Sequence, residues 1–146
     1  MKFNRRFLPP ILWAVFIFIA SSNSDPLGPL PEEAIPAMKA IRILGFRLDN
    51  IIWAVSHIFV YAVLAFLIAR ALGFSRFLSW ETLSLAFAVT ILYGVSDEIH
   101  QIFVSNRGFQ WYDILMDGLG ALIGLGMFAL HRRKRAHEDR KEALLL

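Results

Sequence analysis

The chain has 146 residues, 57% of them hydrophobic, and a mean hydropathy of +0.54, which excludes an ordinary soluble domain and leaves room for one folded unit over 1–146. A formal charge of +3 does not point to nucleic acid, because Lys and Arg cluster beside apolar segments and not along a soluble face. Cysteine is absent, which removes disulfides, thiolate nucleophiles and cysteine-ligated metals together.

Four apolar stretches follow one another: Phe7 to Ala20, Ile51 to Leu72, Thr82 to Val95 and Ile114 to Leu130. Each is a transmembrane helix candidate, so the expected fold is all-α, a four-helix transmembrane bundle with spans at about 7–22, 51–72, 80–100 and 113–130. A basic cytoplasmic tail, 131–146, follows the last of them.

The first stretch opens with Pro9 and Pro10, tolerated where the first-turn N–H groups have no partner. Its basic start and its Ala20-Ser21-Ser22 end also fit a cleavable signal peptide. A retained span is preferred, because four crossings bring the basic start and the basic tail to one side. The first and third stretches are short against the roughly 20 residues a bilayer needs, so they must borrow polar neighbours such as Ser21, Ser22, Asp97 and Glu98.

The loop from Asn23 to Asn50 begins with turn formers, Asp25-Pro26-Leu27-Gly28-Pro29. Ala34, Ile35, Met38, Ile41 and Leu44 then recur at near-helical spacing, which suits either an interfacial amphipathic helix or an irregular covering loop.

About eleven cations, Lys2, Arg5, Arg6, Arg70, Arg76 and those from Arg132 to Lys141, fall on one side, against about four opposite, Lys39, Arg42, Arg47 and Arg107. The expectation is a multi-pass cell-membrane protein with both termini cytoplasmic. Trp80 would mark the inner interface, and Trp53, Trp111 and Tyr112 the outer one. His131 to Arg135 reads as an anchor touching anionic lipid.

Helical rise turns sequence position into depth: His57 and Asp117 fall about 9 Å, and Asp97 about 6 Å, below the outer boundary. Ser21 and Ser22 fall at a similar level. Tyr93, Asp97 and Gln101 share one helix face, as do Glu98 and Gln101, Asp113 and Asp117, and His57 and Tyr61. Ionisable groups at that depth are functional-site candidates, with structural pairing as the competing explanation.

Asp97, Glu98, His57, Asp117 and Arg107 together suit acid–base chemistry. No nucleophile identifies itself, since Ser21 and Ser22 read as caps or packing, and enzymatic activity stays open. No metal or cofactor is expected, because Asp97-Glu98-Ile99-His100 is not a His-Glu-x-x-His motif. A headgroup site would use Arg107 and Asn106 as donors and the carboxylates as acceptors. Its competitor is a self-satisfied network in which Arg107 neutralises Glu98 or Asp113. Gly120-x-x-x-Gly124, and Ala65 with Ala69, offer small-residue surfaces, read as packing inside the bundle before a homo-oligomer contact. Four short spans without inverted repeats do not suit transport by alternating access.

The run Tyr93-Gly94, Asp97-Glu98, Gln101, Phe103, Arg107, Asp113, Asp117, Gly120 and Gly124 resembles the spaced pattern of the VanZ-like family of small bacterial membrane proteins. Ser21-Ser22-Asn23-Ser24 and His57 with Tyr61 add weaker matches. Where that family often carries Asp-Lys shortly before the His, this chain has Trp53 and Ala54, and Asp49 is the nearest substitute. The family's namesake is associated with low-level resistance to teicoplanin, a lipoglycopeptide, without an established biochemical activity.

The resemblance implies an envelope protein whose partners are membrane lipids and an amphiphilic or lipid-linked cell-wall ligand. The expected pocket opens outward and is built from Asp97, Glu98, Gln101, Arg107, Asp113 and Asp117, with His57 facing them and Tyr61 and Tyr93 in the same layer. A lipid-headgroup hydrolase or transferase, and an assembly subunit of a membrane complex, are the alternative readings.

Overall fold

The computed structural model describes residues 4–24, 31, 34–73 and 79–144. Lys2, Arg76 and the turn formers Asp25 to Pro29 lie outside the described residues. A 3-10 turn, Arg5–Phe7, leads into α1 (Leu8–Ser21), followed by α2 (Ala34–Ala40), a hairpin of β1 (Arg42–Ile43) and β2 (Phe46–Arg47), α3 (Leu48–Leu72), α4 (Trp80–Gln101) and α5 (Trp111–Ala143). The architecture is helical, with one short hairpin that the all-α expectation did not contain.

Three helices, α3, α4 and α5, are long and apolar enough to cross a membrane. The expected fourth span, α1, has 14 residues. At helical rise it reaches only about 21 Å against a hydrocarbon core of about 30 Å. Pro9 and Pro10 stand in its first turn. It ends where the hydroxyls of Ser21 and Ser22 donate to the Phe18 carbonyl at 3.1 and 2.6 Å. α4 is capped by Ser79, whose Oγ accepts from the Thr82 N–H at 3.2 Å. α5 does not stop at Leu130: the basic run continues the same helix to Ala143, as expected of good helix formers such as Arg, Lys and Glu.

The helical pattern expected through Ile41 and Leu44 ends at Ala40. Leu44 and Gly45 both take positive φ, 52° and 86°, and close a two-residue turn that pairs Arg42 with Arg47 and Ile43 with Phe46. β2 runs directly into α3.

Successive long helices reverse direction, so the end of α1, the start of α3, the end of α4 and the start of α5 meet on one side. The closest approach is between α3 and α5. A Cβ on Gly120 would run into the backbone carbonyl of Ile58, and one on Gly124 into that of Ala62. The glycine pair is therefore used inside the chain. Around it a core of small and aromatic residues forms from Ala65, Ala69, Ala86, Ala121, Leu125 and Phe128. α1 is tied on by polar contacts: Trp13 Nε1–H donates to Val60 O at 2.8 Å, and the Tyr93 hydroxyl to Ala14 O at 2.5 Å.

The distribution of residues inverts that of a soluble protein. Large apolar side chains such as Leu12, Ile19, Phe59, Leu92 and Leu130 face outward, while Asp97, Glu98, Gln101 and Asp117 are buried.

Candidate functional site

A layer of polar side chains crosses the bundle near the end where α1 and α4 finish. Glu98 is 0% exposed, Asp117 and Gln101 1%, and Asp97 4%. Polar groups so placed need hydrogen-bond partners, and the layer supplies most of them from all four long helices. His57 Nδ1 and Asp117 Oδ1 hydrogen-bond at 2.8 Å, leaving Nε2 facing Asp113 Oδ2 at 3.8 Å. Asp97 accepts from Ser21 Oγ at 2.6 Å, from Gln101 Nε2 at 3.3 Å and, at the limit, from the Tyr61 hydroxyl at 3.5 Å. Glu98 Oε2 accepts the Gln110 backbone N–H at 2.8 Å. Two carboxylate oxygens, Glu98 Oε1 and Asp117 Oδ2, are buried with no hydrogen-bond partner among the described residues.

Of the nine residues singled out in the sequence, His57, Tyr61, Asp97, Glu98, Gln101, Asp113 and Asp117 occupy this layer. Tyr93 does not join it through its hydroxyl, which serves the α1 contact; its ring only neighbours that of Tyr61. Arg107 makes no ion-pair contact with Glu98 or Asp113, although its charge reaches Asp113 through space. Its Nη1–H donates to Gln101 Oε1 at 3.0 Å, and its guanidinium carbon lies 4.5 Å from the Trp53 ring centroid. Trp53, expected at the outer interface, is the platform under that cation.

Asp49 does not supply the carboxylate missing before His57, because Arg47 takes both its oxygens, at 3.0 and 2.5 Å. That pair holds the Arg47 guanidinium above its ordinary range. Ser21 is more than a cap, since its hydroxyl reaches Asp97. Two further participants are not among the residues the sequence singles out. His100 shares a hydrogen bond with Ser22 at 3.0 Å and packs on Phe18, a contact foreshadowed only by the matched depth of the two helix ends. Gln110 acts through its backbone N–H, for which a sequence carries no signal. No three His, Asp or Glu side chains among the described residues are grouped to hold a metal ion.

A cavity of about 960 Å³ opens beside this layer, between the first turns of α3 and α5 and under α2 and the hairpin. The pocket expected within the layer is thus displaced outward. Of the residues expected to form it, Arg107 and Asp113 line the cavity, as does Asn106, expected beside Arg107 as a headgroup donor; the carboxylates Asp97, Glu98 and Asp117 are not in the lining. The reason is close packing: Gly94 and Gly120 let the helices approach until the carboxylates are sealed. Lys39 adds a second cation to the lining, while Val55, Ile58 and Met116 make its deeper part apolar. Such a cleft can hold a charged headgroup at one end and hydrocarbon at the other.

Residues 7–132 match a family model described as VanZ/LLP1. No curated protein and no solved structure matches the chain.

Proposed function

Because the chain belongs to the VanZ/LLP1 family, we propose that it is a four-span cell-envelope protein whose outer cavity takes an amphiphilic or lipid-linked ligand, lowering susceptibility to lipoglycopeptides such as teicoplanin. In this reading α1 is the fourth span, completed by its polar ends, and both termini are cytoplasmic. The observation that carries it is the cavity itself. It lies at the helix ends away from the basic termini, and the buried layer reaches its wall through Arg107 and Asp113.

Expression in a susceptible Gram-positive host tests the reading. The wild type should raise the inhibitory concentration of teicoplanin, and an Asp97→Asn, Glu98→Gln variant of equal membrane abundance should lose that protection. No shift from well-expressed wild type would remove the resistance role.

One arrangement favours a second reading, a membrane-embedded hydrolase or transferase. His57 shares a hydrogen bond at Nδ1 with buried Asp117 and turns Nε2 toward Asp113, the carboxylate that lines the cavity and is the group of this set within reach of a substrate as general base. Purified protein with labelled lipid extract should then show turnover that His57→Ala abolishes while the helical content stays intact. Absence of turnover in the wild type would leave binding alone.

A further inference from the structure

Arg107 is held from two sides by neutral groups, and Asp113, the carboxylate its charge reaches through space, makes no ion-pair contact with it. Gln101, itself buried and bonded to Asp97, accepts from one guanidinium nitrogen, and Trp53 supports the flat face. Neither Arg107 nor Lys39 forms an ion pair with a described residue. Both line the cavity, one from the turn after α4 and one from the last turn of α2. A guanidinium carries five N–H donors in a rigid fork, the geometry that suits phosphate oxygens, and among the described residues one of them is engaged, by Gln101.

Deeper along the same helices the lining becomes Val55 and Ile58 from α3 and Met116 from α5. Ile58, the deepest of these on α3, is packed from the other side by the Gly120 backbone. Cationic groups at the mouth and an apolar floor define the ligand by class. We infer that the cavity takes the headgroup phosphate of a membrane amphiphile, gripped by Arg107 and Lys39, with the tail along Val55, Ile58 and Met116. The inference rests on the cavity being the ligand site and adds the chemistry recognised there. Asp113 shares the wall and faces His57, so a hydroxyl on the same headgroup finds an acceptor beside the phosphate.

The test uses the purified full chain in maltoside micelles. It is titrated with short-chain phosphatidic acid, with diacylglycerol of the same chains, and with inorganic phosphate, and bound ligand is counted by native mass spectrometry. Phosphatidic acid should bind at least tenfold tighter than either control. Arg107→Gln should weaken it tenfold or more without changing diacylglycerol binding. Arg107→Lys should not restore it, because an ammonium neither forks nor lies flat on Trp53. Lys39→Gln should weaken it less, and Arg70→Gln, at the opposite end of α3, should leave it unchanged.

Equal binding of phosphatidic acid and diacylglycerol, or wild-type affinity in an Arg107→Gln, Lys39→Gln double variant, would overturn the inference. Inorganic phosphate bound as tightly as the lipid would overturn the amphiphile assignment. No antibiotic enters this assay. Loss of teicoplanin protection alongside intact phosphatidic acid binding would therefore strike the envelope reading alone.

Discussion

Gly94 has no room for a side chain, because a Cβ there would sit 2.7 Å from Asp117 Oδ2, an oxygen already without a hydrogen-bond partner among the described residues. Gly94→Ala should push Asp117 off His57 and cost about 1–3 kcal/mol, as overpacking of a tight contact does. The check is the thermal midpoint of the purified protein. Gly118→Ala serves as control, since its Cβ would meet Ile91 at an ordinary 3.6 Å. Matching midpoints for both variants and wild type would mean that α4 and α5 do not approach so closely. His57, Asp97 and Asp117 were legible in the sequence because nothing apolar explains a polar residue at their depth. Their partners were less so. For Arg107 the sequence offers a headgroup or a carboxylate as partner because charge is what a sequence displays, whereas its contacts are an amide and an indole face. The Gln110 N–H was invisible, because almost every residue carries one.

Helix α3 is positioned by two glycines on α5. Gly120→Leu or Gly124→Leu would drive a side chain into the Ile58 or Ala62 carbonyl, while a Cβ on Gly126 meets nothing within 4 Å. Both core variants should fail to give a monodisperse, heat-stable species in detergent, and Gly126→Leu should behave as wild type. Equal behaviour of all three would place the α3–α5 contact elsewhere. Long apolar runs gave away α3, α4 and α5, and counting residues gave away the shortness of α1. The hairpin escaped because its turn uses Leu44 at positive φ, where Asn or Gly is the usual signal. The extension of α5 past Leu130 escaped because hydropathy marks where apolar residues stop, not where a helix does.

At the scale of the molecule, small residues inside, large apolar ones outside and one buried polar layer follow from a lipid solvent acting on a short chain. The absence of cysteine makes its topology directly measurable. Ser105→Cys should react with an impermeant maleimide on intact cells, and Ala136→Cys only after permeabilisation. The reverse pattern would invert the proposed orientation. Sequence depth foretold the polar layer but not the cavity beside it, because a void depends on how α2 and the hairpin cover the helix ends.

The most direct measurement blocks that cavity. Ser24 lies at its lining, whereas Ser105 is an exposed loop residue outside it. Cells expressing Ser24→Cys or Ser105→Cys are labelled to completion with a bulky impermeant maleimide and scored for teicoplanin susceptibility. Labelling at position 24 should abolish protection, and labelling at 105 should not. Protection that survives complete labelling at 24 would contradict a ligand site in the cavity.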